Sequence, residues 1–379
     1  MRISAKRDGD TLALGLAGRL DTNTAPALAD ALALDGVRHL VIDFGECPYV
    51  SSVGLRELLR AQKRLAPSGG TMLLANVTRE VQDVLDMTGI SRLIPSKRKV
   101  REISIEGLEF VSAGVCGECY RLDPETLVKL YNEGVGPAVA EKEKEFAKAA
   151  FVSGIPTALS YDVVSCGTRT GVVYEMLDAT LFSAVIRADL ANLDQHAQTL
   201  ARIARTVHET PADPAVFPSI KESMRGYIDQ MDFFLSPDQI AFLQARLAAI
   251  PDADTCVHFD LHTSNIMIRG GEPVIIDMGD LSRGHYLFDI GLICTIYGVP
   301  ELEICEMATK LPAEAGARLC DHFLRHYFAD KPAEEYAFFQ RNMYFLASLR
   351  LIYTITFLPS LKDRLATAVR DVLLPRMMA

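Results

Sequence analysis

A chain of 379 residues exceeds one ordinary core, and its 49% apolar and 23% charged content is that of a globular protein of two or three domains. Its formal charge of −10 divides unevenly: residues 1–98 carry 13 Lys and Arg against 11 Asp and Glu, the remainder 26 against 38. The larger part therefore lacks the basic clusters nucleic acid demands, and no apolar run reaches the ~18–20 residues of a membrane span.

The opening MRISAKRDGD has no signal-peptide stretch, so a cytoplasmic location is expected. Over the first hundred residues the hydrophobic period keeps switching. TLALGLAG alternates like a strand, TAPALADALAL has helical spacing, and HLVIDF reads as a buried strand. VGLRELLRAQKRLAPSGG comes next as an amphipathic helix with Leu55, Leu58, Leu59 and Leu65 on one side, stopped by Pro67 and Gly69–Gly70. TMLLANV is then a strand and REVQDVLDMTGI a helix. Such alternation implies an α/β sheet covered by helices, closed within about 95 residues.

At YVSSVGL, residues 49–55, a strand ends, two serines follow and a helix begins. Free N–H groups and the helix dipole would stabilise an anion on Ser51 or Ser52, while N-capping is the simpler role for serine there. GRLDTNTA, HLVIDFGECPYVSSVGLREL and MLLANVTREVQDVLDMTGI together resemble a STAS domain of the anti-sigma factor antagonist type, over residues 1–97. The resemblance implies an interaction module, not an enzyme, with an anti-sigma factor or another signalling protein as partner. It marks Ser52 as the phosphorylation candidate; Ser51 and Val53 stand where phosphorylated members often have Asp and Ser or Thr. The dense basic run SKRKVR, residues 96–101, reads as a solvated joint, with residues 98–104 as the linker.

Beyond it, LEFVSAGVCGECYRLDPETLVKLY holds two apolar strand-like runs about the turn LDPET. Gly114 and Gly117 would let the backbone approach a phosphate, although a glycine-bearing hairpin needs no ligand. The pair Cys116 and Cys119 lacks the further ligands of a zinc site, and the eight scattered cysteines suit reduced thiols. Lys129 interrupts an otherwise apolar strand; it either snorkels to solvent or meets an anion, a phosphate or a buried carboxylate. AVAEKEKEFAKAAFVSGIPT is a helix bearing Glu141, Glu143 and Glu145, ended by Gly154 and Pro156. Glu145 lies nearest its apolar segment and is the expected partner of Lys129, with Glu141 second. TGVVYEML is a strand running into an extended segment whose backbone could pair with a base. LDQHAQTLARIARTVHET is an amphipathic helix in which His208 reads as a packed or capping residue.

The stretch TCVHFDLHTSNIMIRGGEPVIIDMGD is a loop, a strand NIMI, a turn RGGEP and a strand PVIID. The hairpin would bring Asp277 back beside Asn265, so that oxygen ligands suited to Mg²⁺ converge, with Asp260 placed to accept a hydroxyl proton. HFDLHTSN, IIDMGD, VKLY, YEML and the helix ending in His208 resemble the aminoglycoside phosphotransferase and choline-kinase-like branch of the protein-kinase fold. The resemblance implies an α+β two-lobed domain, with lobes at 105–177 and 178–379, acting as an ATP-dependent phosphotransferase. It further implies Asp260 as base, Asn265 and Asp277 as Mg²⁺ ligands, and Lys129 on the α/β phosphates paired with Glu145. Backbone at Glu175 and Leu177 would receive adenine, and Asp289 would be a buried structural aspartate.

Only eight residues separate Asp280 from Asp289, too short for the activation segment usual in kinases of proteins, so a small-molecule hydroxyl acceptor is expected. The acidic balance leans weakly toward a cationic acceptor. Two alternatives stand beside this reading: the domain phosphorylates a protein, Ser52 among the candidates, or it binds nucleotide without turnover in a partner-switching protein.

Overall fold

The structure, a computed structural model, describes residues 1–378. The chain forms two compact units that meet in sequence between Ile103 and Ser104.

The first unit is one sheet in spatial order β1 (Arg2–Asp8), β2 (Thr11–Ala17), β3 (His39–Glu46), β4 (Thr71–Val77), β5 (Ser96–Arg98). β1 is antiparallel to β2 and the remaining pairs are parallel. Alternate residues Leu12, Leu14 and Leu16 of β2, Leu40, Ile42 and Phe44 of β3, and Met72 and Leu74 of β4 are buried, the period-2 signature of a face set against a core. Helices α1 (Ala25–Ala31), α2 (Ser52–Leu65) and α3 (Arg79–Met87) complete the core through Leu28, Leu55, Leu58, Ala61, Val81 and Leu85. At Gly54 a β-carbon would lie 2.6 Å from Leu20 Cγ and 2.9 Å from its carbonyl oxygen, so the start of α2 packs there only as glycine.

The basic run departs from expectation. Ser96 and Arg98 pair with Leu74 and Val77 as an edge strand, Lys99 N–H donates to the Val77 carbonyl, and Lys99 Nζ reaches the Gly45 carbonyl. Lys97, Arg98 and Lys99 decorate an edge, where charge discourages further pairing.

The second unit begins with an antiparallel sheet whose strands lie in the order Ser160–Cys166, Arg169–Glu175, Thr126–Tyr131, Gly117–Arg121, Glu109–Ala113. Helix α4 (Pro137–Val152) packs against its first two strands. Helices α5 (Phe182–Ala188), α6 (Leu193–Glu209), α7 (Ile220–Asp229), α8 (Pro237–Ala249), α9 (Leu287–Tyr297), α10 (Cys305–Thr309), α11 (Ala313–Phe328) and α12 (Ala333–Phe357) build most of the rest, and helical turns over 362–378 follow. α9 is buried along its whole length, packed by α11 and α12, as expected of a helix apolar all round. Between α8 and α9 runs the hairpin Ile266–Arg269 and Glu272–Ile275. Its two-residue loop, Gly270–Gly271, takes positive φ at both positions, 59° and 91°, as a tight hairpin requires.

Candidate active site

The loop His258–Asn265 is held from below. Asp289, wholly buried at the start of α9, accepts the amides of His258 at 2.8 Å and Phe259 at 2.6 Å. His208, at the end of α6, lies 3.0 Å from the same carboxylate through Nε2 and 2.7 Å from the Tyr327 hydroxyl through Nδ1. A buried carboxylate with this many donors is satisfied in place, and it fixes a loop in which Phe259 adopts φ of 60°.

Asp260 emerges from that loop. Its Oδ2 accepts from Asn265 Nδ2 at 2.9 Å, and the same amide nitrogen meets the Asp260 carbonyl at 2.9 Å. Its Oδ1 accepts from Arg350 Nη2 at 2.6 Å. Burial works to raise the carboxyl's pKa, but Arg350, His262, His258 and the Asn265 hydrogen bond outweigh it and hold it below the ordinary value. The hairpin's return sets the Ile276 amide on the Asn265 carbonyl at 2.9 Å. Asp277 comes next, in a left-handed conformation with φ of 65°.

From the sheet, Lys129 donates to Asp277 Oδ1 at 2.8 Å across 148 residues of sequence, and to Glu143 at 2.9 and 3.1 Å. Glu143, not Glu145 or Glu141, is therefore the partner of Lys129. Ala140, Glu143, Ala147 and Ala150 form the buried stripe of α4 at helical spacing. Two residues further round, the Glu145 side chain is 57% exposed and lies 4.0 Å from Lys144; Glu141 pairs with Lys144 at 3.5 Å. The residue itself is 3% exposed at Glu143, whose carboxylate also accepts from the hydroxyls of Tyr131 and, at 2.7 Å, Tyr174. Lys129 and Tyr131 share one face of their strand, and Tyr174 comes from the neighbouring strand. Burial opposes the Lys129 charge, but Asp277 and Glu143 prevail and hold the ammonium well above its ordinary range. The turn after Asp277 passes so close that a β-carbon on Gly279 would sit 3.2 Å from Glu143 Oε2.

The other expected residues take mixed positions. Gly114 lies in an open turn, its amide bonded to the Gly117 carbonyl at 2.8 Å. Gly117 serves packing rather than phosphate approach: a β-carbon there would lie 2.0 Å from the Leu130 carbonyl oxygen. Between them, desolvation and then Asp277 push the Cys116 thiol up to about 11, which keeps it protonated near neutral pH. The Glu175 amide is committed to the Leu159 carbonyl at 2.9 Å, so it is not a donor for a base. Leu177 packs with Ala158 and Val274, and Tyr174, Met267 and Ile276 lie against them. In the first unit Ser51 is the N-cap, accepting the Gly54 amide at 3.3 Å, while Ser52 is the exposed first residue of α2.

No sequence motif assigns a role to four residues at the site: Tyr131, Tyr174, Asp280 and Arg350. Arg350 is legible in one respect, as a lone charge in the apolar run FLASLRLIYTI of α12. Among the described residues no cluster of three or more His, Cys, Asp or Glu side chains could hold a metal. An ion would rest on Asn265, Asp277 and nucleotide phosphates. The donor set fits a hard ion, since the Asn265 side chain turns its nitrogen onto Asp260 and leaves its Oδ1 for a ligand.

Two family models match the chain: the STAS domain over residues 2–103 and the phosphotransferase enzyme family over residues 108–336. A candidate anti-sigma factor antagonist of Bordetella bronchiseptica, BtrV, is 32% identical over 98 residues, which are 25% of this chain and 84% of that protein. A structure of the gentamicin–APH(2")-IIa complex is similar over 77% of this chain and 95% of its own, at 14% identity and a TM-score of 0.48. A choline/ethanolamine kinase family protein of Mesorhizobium loti is similar over 72% and 90%, at 16% identity and a TM-score of 0.46.

Proposed function

The chain belongs to the phosphotransferase enzyme family, and from that premise we propose that it moves the γ-phosphoryl group of ATP to a small-molecule hydroxyl. The STAS domain is the module through which a signalling protein, such as an anti-sigma factor, couples to that activity.

Asp260 accepts the acceptor's hydroxyl proton as that oxygen attacks the γ-phosphorus. The bond from the γ-phosphorus to the bridging oxygen breaks and ADP leaves. Lys129, held by Glu143, carries the α/β phosphates, with the backbone of the Gly114 turn above them. Asn265 and Asp277 would hold Mg²⁺, which would supply charge neutralisation on the phosphates. Leu177 and the Glu175 carbonyl receive the adenine edge, and the apolar cluster of Ala158, Leu177 and Val274 faces the ring.

The observation that carries this reading is the Lys129–Asp277 contact, which joins the sheet to the hairpin at the one place a triphosphate would need both. The segment after Asp280 supports a small acceptor. Ser282 and Arg283 pair with Val257 and Cys256, and α9 begins at Leu287, so the stretch on which a protein substrate could lie is short.

The test is ADP formation by the full chain with panels of amino sugars, polyols and quaternary amines. A subset should stimulate turnover, and Asp277→Ala should lower it by at least about 100-fold. Equal turnover in the variant would overturn the reading. A second reading, with a protein hydroxyl as acceptor, is favoured by the exposure of Ser52 at the start of α2. Labelled ATP would then mark the wild-type chain and not Ser52→Ala; absence of label from wild-type protein ends it.

A further inference from the structure

Arg350 sits between Leu349 and Leu351, both buried, in the long helix α12, and its own side chain is 13% exposed. A guanidinium so placed is costly unless its charge and donors are matched. They are matched by the site itself. Nη2 donates to Asp260 Oδ1 at 2.6 Å; Nη1 donates to the Phe259 carbonyl at 2.7 Å and to Asp280 Oδ2 at 3.2 Å. The rings of Phe259 and Tyr353 lie 5.4 and 5.2 Å from the guanidinium carbon. Tyr353, one helical turn on, donates to the other Asp280 oxygen at 2.5 Å. α12 thus grips the loop of Asp260 and the segment just after Asp277 with two side chains of one face.

We propose that Arg350 is a positioning residue for phosphoryl transfer, fixing the Asp260 carboxylate so that it faces the incoming hydroxyl. The inference rests on the assignment of Asp260 as the base. With Oδ2 on Asn265 and Oδ1 on Arg350, the carboxylate plane is fixed at both oxygens and cannot turn about its Cβ–Cγ bond. A planar fork spans Asp260 and Asp280 together, whereas an ammonium is a single point charge. Misdirection of a catalytic group by about 1 Å costs on the order of 100-fold in rate. Packing alone would not require the fork to end on Asp260.

The test uses the full chain and ADP formation from Mg-ATP, with water as acceptor and with any stimulating hydroxyl compound. Arg350→Ala should lower kcat about 100-fold while the KM for ATP stays within about threefold, and millimolar guanidinium ion should restore part of the loss. Arg350→Lys keeps the charge and the fold, and should still lose about 10-fold or more in kcat for want of the fork. Should Arg350→Ala not fold, Arg350→Lys alone decides. Full kcat in Arg350→Lys, or a loss in Arg350→Ala that appears in KM and is untouched by guanidinium, would overturn the proposal. Asp260→Ala separates the two layers: turnover surviving there sinks the base assignment itself, whereas an inactive Asp260→Ala beside a fully active Arg350→Lys sinks only the inference.

Discussion

Replacing Glu143 by Gln keeps the shape of the side chain and removes its charge, at the position that pairs with Lys129 in place of the expected Glu145. Its carboxylate accepts from Lys129 twice and from two tyrosine hydroxyls, in a residue 3% exposed. Removing one partner of a buried pair costs about 3–5 kcal/mol. Lys129 keeps Asp277 at 2.8 Å, so the lower end, about 3 kcal/mol, applies. At about 2–4 °C per kcal/mol, the melting of the unit from Ser104 onward should fall by roughly 6–12 °C. The melting of the STAS unit, which has its own core, should stay where it is. Differential scanning calorimetry of wild type, Glu143→Gln and Glu145→Gln reads this directly. Glu145 is mostly exposed with Lys144 at 4.0 Å, so its variant should move by under about 2 °C. A Glu145→Gln shift as large as that of Glu143→Gln would refute the placement of α4 and the electrostatic reasoning built on it.

Four further outcomes are expected. Gly117→Ala should fail to accumulate as folded protein or melt far below wild type, since its β-carbon would lie 2.0 Å from the Leu130 carbonyl oxygen. Gly114→Ala, with open space around it, should melt like wild type, as thermal scans will tell. Burial drives the His285 imidazolium down to about 4, against an ordinary 6.5. Between those values the unfolded chain binds a proton that the folded chain refuses, so stability is full above about pH 6.5 and is lost as pH falls toward 4. Urea midpoints at about pH 7.5 and about pH 5 should therefore differ less in His285→Gln than in wild type. Chelation of divalent ions with EDTA should weaken ATP binding by at least about 100-fold, measured by calorimetric titration with and without Mg²⁺.

The range of the forces involved decides which features the sequence discloses and which it hides. Lys129 is visible because a charge in an apolar strand demands a partner, and the hairpin at Gly270–Gly271 is visible because its turn is written in adjacent residues. The partner of Lys129 is misread when nearness to apolar residues along the chain is the measure; the face of the helix is the measure that works. Ala140, Ala147 and Ala150 point to Glu143 as soon as the i, i+3, i+4 stripe is drawn. β1 gives no signal because all but one of its residues are exposed, leaving little inward alternation to read. SKRKVR looks solvated because charged side chains dominate it, while backbone groups that no composition records bind Ser96–Lys99 to β4. Arg350 announces that something must neutralise it, but its partner lies 90 residues upstream, beyond any local pattern.

The charges of the site are divided between two cations, Lys129 from the sheet and Arg350 from α12. Glu143, Asp260, Asp277 and Asp280 are four carboxylates; Lys129 and Arg350 are two cations, and each bridges two of the four. Four against two leaves a formal excess of two negative charges. Two unit charges of like sign 4 Å apart repel by about 4 kcal/mol at an effective dielectric of ~20. On the proposed reading, a bare triphosphate would be repelled from Asp277, and a divalent ion bound with it would offset that excess. Asp260 and Asp277 are alike in this respect: Arg350 is shared between Asp260 and Asp280, and Lys129 between Asp277 and Glu143. If Asp260 is the base proposed above, the same carboxylate without Arg350 would repel the γ-phosphate more strongly. In the proposed reaction Lys129 would offset charge on the side of the phosphates, and Arg350 on the side of the base.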